Sequence, residues 1–215
     1  MPFDFLRRNK GVAGPPATSD DVVRARKSRG VPFDGLTEEW RMVGQMHVDG
    51  RISDALNKRE ALQISGVRWA PIDGAEPMSD APGLKAVDPY DLILVLAGDS
   101  TLPALTDAER SAYKVHKIAY EVALEVPPFR VIGTVYLYPG SEPDRLLDRA
   151  TEMFVPVVDA EAFLNDQPIG DVMDAILVNR FYLRDVEQID RRTGERHQKL
   201  PGAPLGGVSW QDRSR

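Results

Sequence analysis

The sequence contains an internal repeat, and this repeat constrains the fold more than any other feature. Residues 41–57 align with residues 130–147, and residues 88–95 align with residues 171–178, in the same order. Two aligned blocks in one order are typical of a duplicated structural unit. The aligned identities include Arg41 with Arg130, Gly44 with Gly133, Gly50 with Gly140, and Asp54 with Asp144.

The hydrophobic pattern of each copy indicates a strand, a short helix, a strand, a loop and a final strand. In the first copy a bulge is expected around Gly66. In the second copy the helix is expected from residue 143 to about 150, with strands over residues 154–164 and 181–189. Three short strands and one helix are too few to enclose a core alone. We therefore expect a strand-dominated α+β fold, with two copies packed about a pseudo-twofold axis. Either a small barrel or two packed sheets would satisfy this pattern.

One globular domain is expected over residues 36–190, with repeats at about 40–97 and 129–189. A helix and a strand over about 104–127 would join the repeats. Thr106 and Glu109 have the spacing of a capping box, which favours a short helix. Residues 116–126 then alternate between apolar and polar side chains, which predicts a half-buried strand. The following Pro127-Pro128 predicts a hairpin or a crossing between half-sheets.

The ends of the chain differ from its centre in charge. Residues 1–35 carry +3 and residues 190–215 carry +3, which leaves −12 for residues 36–189 in a total of −6. We expect flexible basic tails over residues 1–35 and 191–215. They could contact nucleic acid, an anionic membrane or an acidic neighbour, although the acidic centre disfavours nucleic-acid binding.

Composition excludes several classes of chemistry. The chain has no cysteine, so disulfides, thiolate metal sites and cysteine nucleophiles are absent. The first residues lack the apolar stretch of a secretory signal, and the longest aliphatic run, residues 92–97, is too short to cross a bilayer. A cytoplasmic location and a bacterial type of protein are the simplest expectations.

The stretch Gly-Arg-Ile-Ser-Asp-Ala-Leu-Asn at residues 50–57, followed by strands, resembles small uncharacterised bacterial domains with a G-R-x-S-D-x-L-N motif. A second motif of those domains, a strand that ends in a T-D-A-type turn, resembles residues 157–160. The resemblance covers roughly residues 40–97 and 129–189, in two divergent copies. It implies no activity.

Two carboxylate pairs, Asp88 with Asp91 and Asp171 with Asp174, occupy equivalent places in the repeat. Such pairs can hold a hard cation or act as acid and base. They can equally cap turns, because aspartate accepts hydrogen bonds from nearby backbone amides. Their presence in both copies favours the turn, since a repeated fold needs its turns twice. A metal-dependent enzyme that uses Asp88 and Asp91 is the third hypothesis for function.

No other catalytic pattern is recognisable. The three histidines lack a metal-binding spacing, and the sequence has no phosphate-binding loop and no nucleophile elbow. We therefore predict a protein that is not an enzyme and needs no cofactor or metal.

The leading hypothesis is a non-catalytic interaction or scaffold protein, with a protein partner or self-association. The alternative is a regulatory domain that binds a small molecule, a nucleotide or another anion in the groove between the repeats. The residues proposed to bind such a ligand are Arg51, Ser53, Asn57, Arg130 and Arg180.

Overall fold

The computed structural model describes residues 29–97, 117–148, 152–193 and 195–196. Within these ranges strands dominate, with one α-helix and two 3₁₀ helices. The strands are β1 (Arg29–Leu36), β2 (Trp40–Val48), β3 (Leu62–Pro71), β4 (Ser79–Asp80), β5 (Ala86–Val87), β6 (Leu94–Ala97), β7 (Ile118–Val126), β8 (Phe129–Leu137), β9 (Phe154–Leu164), β10 (Gln167–Pro168), β11 (Met173–Asn179) and β12 (Asp185–Gln188). The helices are α1 (Ile52–Asn57) and the 3₁₀ helices Pro89–Asp91 and Pro143–Leu147.

The described strands form one antiparallel sheet. Its order is β12-β7-β8-β9-β11-β6-β1-β2-β3-β4, while β10 pairs with β9 and β5 pairs with β3. The path does not return to its start, so the expected small barrel is wrong. Two separate packed sheets are also wrong, because the β6–β11 pair joins the two halves into one continuous ladder.

Two hydrophobic cores lie on opposite faces of this sheet. One is built mainly from β7, β8 and β9, and the other from β1, β2, β3 and α1. The central strands contribute to both, because successive side chains of a strand point to opposite faces. In β11, Ile176 and Val178 join the first core and Leu177 joins the second. In β6, Leu94 joins the first core and Val95 the second. Each half of the sheet therefore packs over a different face of the central strands β6 and β11.

The first strand corrects the predicted boundary of the domain. Residues 29–35 belong to the predicted tail 1–35, yet with Leu36 they form a strand that pairs with β2 along its whole length and buries Val31, Phe33 and Leu36. Within the described residues β6 pairs with the last three residues of β1, so Pro32 lies outside that pairing. At the other end, the Ile189–Arg196 bridge extends the ordered chain beyond residue 190. Residues 1–28 and 197–215 of the predicted tails lie outside the described residues.

The strand predicted at residues 116–126 is confirmed over Ile118–Val126 as β7, and residue 116 lies outside the described residues. Val122, Leu124 and Val126 of the predicted face are buried, whereas Ile118 is exposed and Ala123 of the opposite face is also buried. β7 forms a hairpin with β8 across Pro127-Pro128. β1 forms a hairpin with β2 in the same way. The helix expected near Thr106 lies outside the described residues.

The matched glycines Gly44 and Gly133 occupy the same kind of irregularity. The β2–β3 register shifts at Gly44, and the β8–β9 register shifts at Gly133. A Cβ atom on Gly44 would lie 2.9 Å from the carbonyl oxygen of Ser65. On Gly133 it would lie 3.0 Å from the carbonyl oxygen of Val158. Only glycine allows the neighbouring strand to approach so closely at these two points.

The opposing strand adopts the left-handed backbone region at both bulges. Gly66 has φ +59° in β3, and Asp159 has φ +48° in β9. The predicted bulge near Gly66 is therefore confirmed, and the second motif of the resemblance coincides with the bulge in β9. The matched turn glycines Gly50 and Gly140 also have positive φ, at +99° and +84°.

Two predicted elements are shorter than expected. The helix predicted from residue 143 to about 150 is a single 3₁₀ segment, Pro143–Leu147. The strand predicted over residues 181–189 is reduced to Asp185–Gln188, because Phe181 and Tyr182 lie in a turn. In that turn the amides of Tyr182 and Leu183 donate to carbonyls three residues earlier, which prevents an extended backbone.

Candidate interaction surface

The turn that follows β11 holds the two halves of the fold together, and Asn179 anchors it. The side chain of Asn179 is fully buried. Its Nδ2 donates to the carbonyl oxygens of Leu92 at 2.7 Å and Pro89 at 3.3 Å, and its Oδ1 accepts from the amide of Phe181 at 3.0 Å. Because buried polar groups require partners, these bonds fix the first 3₁₀ helix against the turn.

The side chain of Arg180 attaches the same turn to the second 3₁₀ helix. Its Nε donates to the carbonyl oxygen of Leu146 at 2.7 Å, and its Nη2 donates to those of Arg145 at 2.7 Å and Asp148. Nη1 lies 3.4 Å from the carbonyl oxygen of Glu152. Burial lowers the pKa of Arg180, against the opposing charges of Asp148 and Glu152. The guanidinium thus caps the carbonyl end of the second 3₁₀ helix.

Asn57 makes a reciprocal pair with the backbone of Phe154. Its Nδ2 donates to the Phe154 carbonyl at 3.1 Å, and its Oδ1 accepts from the Phe154 amide at 2.7 Å. The amide of Arg180 donates to the neighbouring carbonyl of Met153 at 2.8 Å. The structure therefore brings Asn57 and Arg180 to the same segment, where both bind backbone.

The other residues proposed as ligands lie apart from this segment. Arg51 and Ser53 are partly exposed at the start of α1, where Ser53 Oγ lies 3.5 Å from a carboxylate oxygen of Asp54. Arg130 lies on the β7–β8 hairpin, where its Nε is 3.1 Å from Glu125 Oε1. Its role as a ligand residue stays a prediction, as do those of Arg51 and Ser53.

Three aromatic side chains, Tyr90 exposed and Phe181 and Tyr182 half-buried, lie over the junction of the two halves. Tyr90 is 44% exposed, and its ring contacts that of Phe181 with the centroids 5.7 Å apart. The hydroxyl of Tyr182 donates to the Tyr90 carbonyl at 3.0 Å. The guanidinium of Arg59 lies 5.7 Å from the centroid of the Phe181 ring. We call the surface formed by Asp88, Tyr90, Asp91, Phe181 and Tyr182 the seam surface.

Asp88 and Asp91 lie on either side of Tyr90 in the chain. Burial, and then the nearby charge of Asp88, raise the pKa of Asp91. The pKa of Tyr182 is raised by burial first and then by the charges of Glu38 and Asp91. The seam surface therefore combines apolar ring faces with an excess of negative charge.

The carboxylate pairs differ between the two halves. Asp88 caps the first 3₁₀ helix, since its Oδ1 accepts from the Tyr90 amide at 3.0 Å. Its equivalent Asp171 precedes β11, and Asp174 lies exposed within that strand. Within the described ranges, no group of three or more histidine and carboxylate side chains is placed to hold a metal ion.

Sequence reasoning missed the aromatic part of the seam surface. Phe181 and Tyr182 directly follow a buried strand, and their apolar character predicts that the strand continues through them. Tyr90 stands between Asp88 and Asp91, whose paired carboxylates are the repeated feature of that segment. A useful signal would have been the Asn179 position, because asparagine at the end of a buried strand favours a turn.

No helix in the described part of the chain has the length and apolar character needed to cross a membrane. Comparisons with protein families, curated proteins and solved structures found no match to this chain.

Proposed function

We propose that this protein is a non-catalytic interaction protein built from a duplicated module, and that a protein partner binds the seam surface. The observation that carries the proposal is the exposed ring of Tyr90 beside Phe181 and Tyr182. Aromatic residues are enriched at the energetic centres of protein interfaces. The surrounding backbone is held by Asn179, so the rings are presented on a fixed support.

The duplication is supported by more than the sequence alignment. Both halves begin with a hairpin and place a short helical segment before the next long strand. Both contain a register shift at the matched glycines Gly44 and Gly133. A shared bulge with a shared steric requirement is the pattern that two copies of one ancestral unit would retain.

The alternative, a site for a nucleotide or another anion, has weaker support. Asn57 and Arg180 both direct side-chain groups at backbone atoms of the chain itself. Arg51, Ser53 and Arg130 remain as hypothetical ligand residues. A thermal-shift screen with nucleotides and small anions that finds a stabilising ligand would favour this alternative over the interaction protein.

The basic tails are proposed as tethers that add to binding at the seam surface. A cytoplasmic location remains a prediction from the sequence. Because β1 begins at Arg29 and the last bridge involves Arg196, truncation should remove residues 1–28 and 197–215 only. A truncated chain that retains every partner at full strength would contradict the tether.

The proposal is tested by a matched pair of surface variants. Tyr90→Ser removes the central ring of the seam surface, while Tyr136→Ser removes a tyrosine of similar exposure, 50%, on β8. Quantitative affinity purification should recover proteins that wild type and Tyr136→Ser retain and Tyr90→Ser loses. Equal recovery by both variants would overturn the proposal. Circular dichroism should show that both variants are folded.

A further inference from the structure

We infer that residues 197–215 dock on their own chain, with Trp210 as the anchor, and cover the side of β7, β8 and β9 that is turned away from the first core. The inference goes beyond the proposed function, because it concerns a different surface and holds whether or not a partner binds the seam surface. A docked C-terminal segment would act as a tether only after its release from this surface.

Three apolar side chains of the second half lie outside both hydrophobic cores. Ile132, Val158 and Phe163 are half-buried, and among the described residues they belong to neither core. Chain neighbours such as Val131 and Ala162 lie in the first core, so these three side chains point to the opposite side of the sheet. We call the surface formed by Ile132, Val158 and Phe163 the outer face. In an antiparallel sheet with one side packed on a core, the other side is normally polar.

The equivalent side of the first half has smaller or polar side chains. Strand pairing around the matched glycine bulges makes Ser65 the equivalent of Val158, and Ala70 the equivalent of Phe163. Ser65 Oγ lies 2.9 Å from Nε2 of His47, which gives that half a polar pair at the surface. The fold therefore does not require large apolar side chains at these positions, and their presence in the second half indicates that another segment covers them.

The described chain reaches the edge of the outer face at Arg196. Its Nη1 lies 2.7 Å from Oε1 of Glu187 on β12. Glu187 pairs with Ala123, and Ala123 pairs with Ile132, so these side chains form one row on the same side of the sheet. The segment that follows Arg196 is therefore attached beside the outer face.

The segment is long enough to cross the outer face. Trp210 follows Arg196 by fourteen residues, which span up to about 46 Å at full extension. Strand β9 lies four strand spacings from Arg196, which is about 19 Å. A tryptophan side chain offers the largest apolar surface in the segment and buries about 150–250 Å² in a contact. Trp210 can therefore reach Ile132 and Phe163.

Charge and attachment both favour this segment as the occupant. The strands β7, β8, β9 and β12 place five carboxylates and one guanidinium on this side of the sheet: Glu121, Glu125, Glu161, Asp185, Glu187 and Arg130. Residues 197–215 contain three lysine or arginine residues and one aspartate, so their side chains carry +2. Opposite charges attract the segment to the face, and its attachment to the same chain gives it a local concentration on the order of millimolar.

A spin label tests the docking in the full chain. Because the sequence contains no cysteine, Ser209→Cys supplies a single site for a nitroxide beside Trp210. Compared with the reduced label, the nitroxide should broaden the backbone amide resonances of residues 132, 158 and 163. Adding Trp210→Ser to the labelled chain should remove most of this broadening, because the anchor is lost while the residues of the sheet are unchanged.

The repeat supplies a matched pair of variants for the face itself. Ile132→Ser and Val43→Ser each shorten a half-buried aliphatic side chain that directly precedes a matched glycine. In the labelled chain Ile132→Ser should reduce the broadening at residues 158 and 163, whereas Val43→Ser should leave it unchanged. If Ile132→Ser does not fold, the Trp210→Ser comparison still decides the question.

The absence of broadening at the outer face, or broadening that Trp210→Ser leaves intact, would overturn the inference. Broadening at residues 89–91 and 181–182 in place of the outer face would also overturn it, because the segment would then lie on the seam surface. A mixture of spin-labelled chain with isotope-labelled chain that carries no nitroxide separates the two possible attachments. Broadening in that mixture would assign the covering segment to a second copy and overturn docking within one chain, whereas its absence would support the inference.

Discussion

Replacement of Arg180 by methionine should be among the most damaging single changes in this fold. Methionine fills much of the same volume but donates no hydrogen bond. The change leaves the carbonyl oxygens of Arg145, Leu146 and Asp148 without their guanidinium donor. The turn after β11 would then lose its attachment to the second 3₁₀ helix.

The size of the effect follows from the number and environment of these bonds. Hydrogen bonds to a charged group contribute about 1.5–3 kcal/mol each. Arg145 and Asp148 are exposed, so water can replace part of what is lost at their carbonyl oxygens, whereas Leu146 is buried. We therefore expect Arg180→Met to lower the free energy of unfolding by about 3 kcal/mol. For a chain of this size that corresponds to a fall in Tm of roughly 6–12 °C.

Urea denaturation measures this change, with an unchanged m-value if only the folded state is affected. Arg184→Met is the control, because Arg184 lies four residues later and is exposed. It should change stability by less than about 0.5 kcal/mol. Arg180→Lys should fall between wild type and Arg180→Met, since lysine keeps the charge and loses the planar fork of donors. A loss below about 1 kcal/mol in Arg180→Met, or one equal to that of the control, would refute the reasoning.

Three further changes test other parts of the structure. Asp91→Asn should raise the Tm at pH 7, because the raised pKa of Asp91 means that its ionised carboxylate destabilises the folded state. The gain in Tm should shrink as the pH falls towards the ordinary aspartate pKa of about 3.9. A gain in Tm that stays constant with pH would contradict this prediction. Gly133→Ala should lower the free energy of unfolding in urea by about 1–3 kcal/mol, because the new Cβ would clash with β9. Gly83→Ala is the control, since its Cβ would lie in open space, and it should leave the free energy of unfolding nearly unchanged. Asn57→Ala should cost about 2 kcal/mol through its two lost bonds to the Phe154 backbone, and a melting temperature equal to wild type would show that water replaces them.

The strands with strong alternation or dense aliphatic content could be predicted from the sequence. Phe154–Leu164 forms the predicted strand, and Ile118–Val126 buries Val122, Leu124 and Val126 of the predicted face, although Ile118 is 42% exposed. These elements are predictable because burial of one face determines the period of the apolar side chains. β1 was missed because Gly30, Pro32 and Gly35 interrupt the pattern, and its stability depends on β2 and β6.

The arrangement of the strands was not predictable, because it depends on pairing between distant residues. Leu94–Ala97 is buried on both faces, and the same aliphatic run could have been the centre of a barrel, of a sandwich or of one long sheet. Only its pairing with both β1 and β11 places a core on each face.

The roles of the polar residues could not be predicted from the sequence either. Arg180 and Asn57 stand out in a sequence because a charge or an amide beside apolar residues is typical of a ligand site. In the structure their partners are backbone carbonyls and amides, which the sequence does not distinguish. Tyr90 is a single aromatic residue without a sequence motif around it, and its exposure depends on the turn that Asn179 holds in place.

The central claim, that a partner protein binds the seam surface, is tested most directly by photo-crosslinking from Tyr90 itself. The full chain would carry p-benzoylphenylalanine at position 90, and a matched chain would carry it at position 136. Irradiation with a cell extract, followed by mass spectrometry of the crosslinked peptides, identifies what lies against each position. We predict a discrete crosslinked protein, or a second copy of this chain, from position 90 and none of that species from position 136. The same crosslinked species in equal amounts from both positions, or none from position 90, would contradict the account.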